Sequence, residues 1–383
     1  MRLTVVVSNV RGGGSTLAAV TWANGWALRG HRVSILAILP DEGDGPDFPV
    51  REEIALTRID LSDRPARNRF QAGARLLRNL LRLRLAVQRT RPEVVVAFDG
   101  PINTRTLLAC LGLRAPVVVM EQTHPGQYHF GRFWERCREL VYPRAAALVN
   151  LTRAAAEWSA GHFRARRLAV IPNPVAPARA QADLCRGGPW TVVAAGRLVE
   201  QKRFDLLIRA FAKIAPLHPD WSLVIHGEGG LRPDLERLVE ESGLRGRVRL
   251  PGWTADLSAE LAKGDLFALS SGYEGFGNVI AEALVAGLPV VSFDCPSGPA
   301  EIIRHEVDGL LVPPLDVDAL AAALGRLMAD QDLRLRMGAR APEALERFSL
   351  ESTLRRWDAL LAQVRPQAAV ATAGHDGTGE RGA

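Results

Sequence analysis

The sequence contains few cysteines, and their positions exclude a disulfide framework and a cysteine metal cluster. Cys110, Cys137, Cys185 and Cys295 are far apart in the 383-residue chain. None of the intervals has the spacing of a zinc site or a redox pair. The sequence therefore predicts four buried free thiols.

Long apolar runs are also missing. No stretch reaches the roughly 18 apolar residues that a membrane-spanning helix needs. Residues 1–9 read as a first strand entering a glycine loop, not as a signal peptide, so we expect a cytoplasmic protein. With 47% apolar and 23% charged residues, the composition is normal for a globular enzyme, and the length suffices for two domains.

Lysine is scarce, and positive charge is unevenly distributed. The chain has only three lysines, and residues 1–175 hold 25 basic against 14 acidic residues. Residues 176–383 hold 23 against 28. An arginine-rich first half suits an anionic partner. The aromatic-interleaved strands and recognition helices of nucleic-acid-binding proteins are absent, so we expect no nucleic acid. An anionic membrane surface or a pyrophosphate-bearing acceptor fits better.

Short, continuous apolar runs recur in both halves and are typical of buried parallel strands. They predict strands at 3–8, 32–39, 94–98, 117–121 and 147–151, then at 191–195, 222–226, 248–250, 266–269 and 289–293. A predicted helix at 17–29 completes a strand–helix–strand unit. We therefore predict an α/β protein with two Rossmann-like domains. The predicted divisions are a first domain at 1–171, a Pro/Ala-rich linker at 172–186, a second domain at 187–345, a helix within 346–365 and a disordered tail at 366–383.

A glycine-rich loop with two glutamates is the most informative segment. Glu274 lies in the loop, and seven residues separate it from Glu282. Gly275 and Gly277 would let the backbone approach a ligand closely. Asn278 is a good N-cap, so a helix should begin after it, with free amides and the positive dipole end forming an anion site. Two carboxylates flanking an anion site suit a sugar–phosphate–ribose ligand.

The loop resembles the Glu-x7-Glu signature of retaining nucleotide-sugar glycosyltransferases of the family 4 type. Other segments resemble blocks of that family in the same order, namely 172–174, 196–202, 224–229, 286–291 and 297–303. The resemblance implies the GT-B fold, with two facing Rossmann-like domains, an interdomain cleft and a C-terminal crossover helix, for which 349–361 is the candidate. The blocks are similar to those of bacterial polysaccharide and lipid-linked glycan glycosyltransferases.

The resemblance also implies roles for the second-domain residues. Glu274 would contact sugar hydroxyls near the reacting carbon, and Glu282 would bind the ribose hydroxyls, since a carboxylate accepts two hydrogen bonds. The expected diphosphate-binding groups are Arg197, Lys202 and the backbone amides of Phe276, Gly277 and Asn278. Fixed positive groups there stabilise the charge on a leaving nucleoside diphosphate. No metal or other cofactor is expected, because these groups can neutralise the diphosphate and no Asp-x-Asp cluster is present.

Two first-domain segments are further candidates. His124 follows the strand at 117–121, where family members commonly place a histidine that touches the donor sugar or acceptor. The loop Gly12, Gly13 and Gly14 would face the cleft in this family; a plain tight turn is the alternative. The family often has an acidic residue just after these glycines. Here Ser15 and Thr16 stand there, which leaves the acceptor contact of the loop open.

The segment 70–91 predicts a basic amphipathic helix. Leucines and a valine share one face, and the arginines opposite are Arg75, Arg78, Arg82 and Arg89. One interpretation is a core helix with a solvated arginine face. The other is a helix that lies in an interface and binds anionic lipid, which would favour a lipid-linked acceptor and peripheral association with the inner face of the cell membrane.

The leading hypothesis is a retaining transferase that moves a hexose or N-acetylhexosamine from a nucleotide-sugar to a glycan or lipid-linked acceptor. Family frequency favours a UDP-sugar; GDP- and ADP-sugars remain open. A nicotinamide oxidoreductase is disfavoured, because Asp41 and Glu42 match the dinucleotide fingerprint poorly. A catalytically silent, glycosyltransferase-like binding protein is the third class, and the presence of all four charged motif residues argues against it.

Overall fold

The computed structural model describes residues 1–39, 48–61, 68–127 and 129–365. The chain forms two parallel α/β layers, so the predicted fold class is confirmed. The predicted tail at 366–383 lies outside the described residues, as do Asp41 and Glu42. None of the described helices is long and apolar enough to cross a membrane.

The first layer is a seven-stranded parallel sheet. Its elements are β1 (Arg2–Val7), α1 (Gly14–Leu28), β2 (Arg32–Ala37), β3 (Ala55–Arg58), α2 (Arg69–Thr90), β4 (Val94–Phe98), α3 (Gly100–Ala109), β5 (Val117–Glu121), α4 (Arg132–Val141), β6 (Ala147–Asn150), α5 (Arg153–His162) and β7 (Leu168–Val170). The strand order is β3-β2-β1-β4-β5-β6-β7. Strands β4 and β5 are buried along their whole length, because helices cover both faces of a doubly wound sheet.

The second layer is a six-stranded parallel sheet. Its elements are β8 (Trp190–Ala195), α6 (Phe204–Ile214), β9 (Trp221–His226), α7 (Arg232–Glu241), β10 (Val248–Gly252), α8 (Leu257–Leu261), β11 (Leu266–Leu269), α9 (Asn278–Val285), β12 (Val290–Phe293), α10 (Pro299–Ile302), β13 (Gly309–Val312), α11 (Val317–Ala329), α12 (Gln331–Arg340), α13 (Ala344–Phe348) and α14 (Leu350–Val364). The strand order is β10-β9-β8-β11-β12-β13.

Helix α14 returns to the first layer and packs against α1. Trp357 is fully buried, with its ring centroid 5.6 Å from that of Trp22 and 5.3 Å from that of Trp26. Trp22 Nε1 donates a hydrogen bond to Thr353 Oγ1 at 3.0 Å. The last helix therefore ties the C-terminal part of the chain to the first sheet through an aromatic cluster.

Both sheets reverse their winding at one pair of neighbouring strands. In the first sheet this pair is β1 and β4, and in the second it is β8 and β11. A crevice opens outside the carboxyl ends of the strands at such a switch point, and open α/β sheets bind ligands there. The fold thus places two binding edges, one from each layer.

The cysteine prediction is half wrong. Cys110 and Cys295 are buried, and burial raises the pKa of each thiol to about 12. Cys137 is only partly buried, and Cys185 is exposed. Cys137 lies on the partly exposed helix α4, and Cys185 lies in the linker between the sheets, so neither is in a core position.

Candidate active site

A cavity of about 610 Å³ lies between the two layers. On the first-domain side it is lined by the loops that follow β1, β4 and β5, and on the second-domain side by the loops that follow β8 and β11. These are the strand ends at and beside the two switch points. The cavity is therefore the predicted interdomain cleft, and its two sides are called the first-domain wall and the second-domain wall below.

Glu274 and Lys202 form a buried ion pair in the second-domain wall. Lys202 Nζ lies 2.6 Å from Glu274 Oε1, and Ser271 Oγ donates to the same oxygen at 2.6 Å. Glu274 is 5% exposed. The loop after β8 reaches this position because Ser270 Oγ donates to the Lys202 carbonyl at 2.9 Å. Two residues 72 positions apart are thus brought together, with the carboxylate held from two sides.

Arg197 lies in the same wall, two residues after β8 ends. Its side chain is exposed, and none of the described residues forms an ion pair with it. A guanidinium in this state presents all its donors to a ligand, and its planar geometry suits phosphate oxygens. Arg197 and Lys202 therefore give the second-domain wall two cations at the switch point.

Helix α9 begins at Asn278, and the predicted cap is wrong. Gly277 occupies the N-cap position with φ 97°, which a glycine adopts without strain. The Asn278 side chain does not cap the helix; its Oδ1 accepts a hydrogen bond from Asn173 Nδ2 at 3.0 Å. The backbone from Phe276 to Asn278 lines the cavity, although the Phe276 side chain itself is buried.

The glycines of the loop serve a purpose that the sequence interpretation missed. A Cβ on Gly275 would lie 2.2 Å from the carbonyl oxygen of Gln122, in the first domain. A Cβ on Gly14 would lie 2.5 Å from Asn278 Nδ2. These glycines therefore allow the two walls to touch each other. For Gly275, the close approach in the structure is to protein backbone, and its predicted approach to a ligand stays a prediction.

The first-domain glycine loop faces the cavity as predicted. Gly12, Gly13 and Gly14 all line it, and the first two have φ 52° and φ 82°. Helix α1 begins at Gly14. The loop thus connects the end of β1 to α1 without side chains that would fill the cleft.

His124 is not brought into the cavity wall, which Gln122 and Thr123 form instead. The imidazole is 8% exposed, its centroid lies 5.8 Å from that of Trp158, and its Nδ1 accepts from the Gly126 amide at 3.2 Å. Burial lowers the pKa of His124, so the ring is neutral at pH 7.

Glu282 does not line this cavity either. It lies one turn into α9, and burial raises the pKa of its carboxyl to about 6. Its predicted contact with a ribose stays a prediction.

Asp99 and Gln122 are among the cavity residues that sequence reasoning missed. Asp99 follows β4 and Gln122 follows β5, and both line the first-domain wall. The available signal was positional, since each residue directly follows a predicted buried strand. No motif marks them, and they lie 23 positions apart.

Helix α2 buries one face and exposes another. Leu83 and Val87 are buried against the sheet, whereas Leu77, Leu81 and Leu85 are 60%, 51% and 54% exposed. Among the predicted arginines, Arg78, Arg82 and Arg89 are exposed and Arg75 is partly buried. Arg82 also donates to the Asp60 carbonyl at 3.0 Å. The outer face thus carries both leucines and arginines.

No group of three or more His, Cys, Asp or Glu side chains that could hold a metal ion occurs among residues 1–39, 48–61, 68–127 and 129–365.

Comparison with known proteins gives two family matches and several relatives. A glycosyl transferase 4-like domain matches residues 13–174, and the group 1 glycosyl transferases match residues 179–344. The chain is 34% identical over 380 residues to exopolysaccharide phosphotransferase SCO2592 of Streptomyces coelicolor, covering 92% of this chain but only 39% of that protein. It is 24% identical to an N-acetyl-D-galactosaminyltransferase of Campylobacter jejuni that acts on a diNAcBac-PP-undecaprenol-linked glycan, covering 95% and 99% of the two chains.

The solved structure of Anabaena HepE in complex with UDP and glucose has the same fold. Its TM-score is 0.77 at 19% identity, and the match covers 94% of this chain and 99% of that one. The two family matches together contain every strand of the two sheets except β1, which precedes residue 13. The chain therefore combines a glycosyl transferase 4-like domain with a group 1 glycosyl transferase domain, and it has the GT-B fold.

Proposed function

We propose that the protein transfers a hexose or N-acetylhexosamine, with retention of configuration, from a UDP-sugar to a glycan or lipid-linked acceptor. The observation that carries this proposal is the buried Lys202–Glu274 pair beside the exposed Arg197 at the switch point of the second sheet. A UDP donor is supported by the UDP complex of HepE. A lipid-linked glycan acceptor is supported by the relative from Campylobacter jejuni.

In the proposed reaction the glycosidic bond to the nucleoside diphosphate breaks as the acceptor oxygen bonds to the anomeric carbon on the same face. The acceptor hydroxyl proton passes to the leaving phosphate. Negative charge grows on the diphosphate, and fixed cations stabilise it more in the transition state than in the ground state. Arg197, Lys202 and the amides at the start of α9 would supply this stabilisation without a metal.

Glu274 would contact hydroxyls of the transferred sugar, and the contacts by which Lys202 and Ser271 orient its carboxylate support this role. Glu282 would bind the ribose. His124 would act at the edge of the donor sugar, which requires its ring to leave Trp158.

The test is thermal stability of the full chain with UDP-, GDP-, ADP- and dTDP-sugars, without added metal. A ligand that binds only the folded state raises the melting temperature by mass action. We expect a shift with UDP-sugars above all others. A shift with GDP- or ADP-sugars alone would show that the donor is one of these and not a UDP-sugar. No shift with any nucleotide-sugar would contradict the proposal.

We also propose that the protein works in the cytoplasm, at the inner face of the cell membrane, through the outer faces of α2 and α4. Helix α3 packs between these two helices. Besides the α2 leucines, Phe133 and Leu140 of α4 are 59% and 68% exposed. Apolar side chains interspersed with arginines suit an anionic bilayer. Both helices begin at the carboxyl edge of the sheet, so a lipid-linked acceptor bound there would lie near the cleft.

Vesicle sedimentation tests the membrane proposal. Changing Arg78 and Arg82 to Gln together should weaken binding to phosphatidylglycerol vesicles by about 1 kcal/mol for each charge. The matched control changes Arg209 and Arg336, two exposed arginines of the second domain, and should bind like the wild type. Equal partition of both double variants would contradict the membrane contact.

A further inference from the structure

Among the described residues that line the first-domain wall, Asp99 provides the one carboxylate. Asp99 directly follows β4, and β4 pairs with β1, whose end leads into the glycine loop. The residue therefore lies at the switch point of the first sheet and lines the cavity from the side opposite Lys202 and Glu274. This is the wall that an acceptor would occupy if the second-domain wall holds the donor.

The backbone of Asp99 has a conformation that residues other than glycine rarely adopt. Its φ is 77° and its ψ is 139°, a region populated almost only by glycine. The Asp99 amide donates to the Met120 carbonyl at 3.0 Å, which fixes the turn to the neighbouring strand. Such outliers persist where surrounding structure enforces them, and they cluster at functional sites.

The Asp99 carboxylate is held by the glycine loop. The Ser15 hydroxyl donates a hydrogen bond to it, and burial raises the pKa of the carboxyl to about 6. At neutral pH the group is thus ionised and only accepts hydrogen bonds. Ser15 stands where the resembling family often has an acidic residue, and the structure brings an acid to the same place from a different strand.

Gln122 supplies a second polar group beside Asp99. It follows β5, the strand next to β4, and is 7% exposed. Both its Oε1 and its Nε2 are buried without a hydrogen-bond partner among the described residues. A buried carboxamide with both groups unpaired is costly, but both atoms are closed to the cavity, so a ligand does not reach the Gln122 amide in this conformation.

We propose that Asp99 binds a hydroxyl group of the acceptor, so that a neutral sugar, and not a phosphate, enters the first-domain wall. This inference rests on the proposed function and narrows it to an enzyme that extends an existing sugar. A fixed carboxylate accepts hydrogen bonds from sugar hydroxyls, whereas it repels a phosphate dianion at the same distance. Arg11 lies on the same wall. Removing the charge of Asp99 therefore distinguishes the two kinds of acceptor, because it should weaken the binding of a neutral sugar and strengthen the binding of a phosphate.

The experiment compares transfer from a UDP-sugar to octyl glycosides of glucose, galactose, mannose and N-acetylglucosamine with transfer to octyl phosphate. It uses the full chain, the Asp99→Asn variant and the control Asp332→Asn, an exposed residue of α12. Asparagine keeps the side-chain shape and tolerates positive φ as aspartate does, so the turn is preserved. Ser15→Ala tests the group that orients the carboxylate.

We expect transfer to at least one glycoside and none to octyl phosphate. Asp99→Asn should raise the acceptor KM by about tenfold or more, with the UDP-induced thermal shift unchanged, and Ser15→Ala should do the same to a smaller extent. Asp332→Asn should match the wild type. The conservative variant Asp99→Glu should leave the KM raised, since its longer side chain cannot reproduce the Ser15 contact at this backbone position.

Three outcomes would overturn the inference: an unchanged acceptor KM in Asp99→Asn, transfer to octyl phosphate by the wild type, or no transfer to any glycoside. In each case a normal thermal shift with the UDP-sugar would leave the proposed function standing. Failure of every nucleotide-sugar to bind would instead remove the proposed function, and the inference with it.

Discussion

The two walls of the cleft are built in different ways. The second-domain wall has two cations and a buried carboxylate, and its loop after β11 runs continuously from Glu274 into α9. The first-domain wall is made of glycines, hydroxyl and amide groups, Asp99 and Arg11, taken from the ends of three strands. Under the proposed function, this difference would give an anionic donor and a polyhydroxylated acceptor separate surfaces within one cleft.

The largest effect is expected at Glu274. Glu274→Gln keeps the side-chain size but removes the charge that pairs with Lys202, so transfer should fall on the order of 10²–10³-fold. UDP binding should persist, because the cations remain. The control is Glu346→Gln, an exposed glutamate of α13. Transfer near the wild-type rate in Glu274→Gln would contradict the role of Glu274 and, with it, the proposed difference between the two walls.

Lys202→Ala should weaken UDP affinity by about 10- to 100-fold, because a charge-assisted contact to the diphosphate is lost. Lys213 is a matched control in the same domain, with its ammonium paired to Asp318 on the surface. Titration of both variants with UDP checks this. If Lys213→Ala lost as much affinity as Lys202→Ala, the cation effect would be nonspecific.

Gly275→Ala should separate the walls by a small distance. Its Cβ would meet the Gln122 carbonyl at 2.2 Å, whereas a Cβ on Gly272 meets nothing closer than 3.7 Å. We expect about tenfold slower transfer in Gly275→Ala, since misplacement of reacting groups is costly, and normal transfer in Gly272→Ala. UDP binding should be retained in both. Equal rates would show that contact between the walls is unnecessary for the reaction.

Much of the fold could be predicted from the sequence. The strands at Val94–Phe98, Val117–Glu121 and Leu266–Leu269 match the prediction at both ends, because buried parallel strands are uninterrupted apolar runs. The missed strands are β3, β7 and β13, all at sheet edges. Edge strands pair on one side only and are three or four residues long here, so their apolar signal is weak.

The site could be predicted in part, and the division follows the two walls. The residues of the loop after β11 are close in sequence, so a single motif reveals them. Asp99 and Gln122 line the same wall only because β4 and β5 are neighbours in the sheet, and no local pattern encodes that. The reason for Gly275 was also hidden, because its contact lies in the other domain.

The most direct test is hydrogen–deuterium exchange of the full chain with and without UDP, since bound ligand protects amides whose local opening it suppresses. The central claim is that the second-domain wall binds the nucleotide. We predict the strongest protection at residues 196–202 and 273–282, with weaker protection at residues 11–16 and 99–104. Protection confined to the first-domain segments would contradict the assignment of donor and acceptor to the two walls.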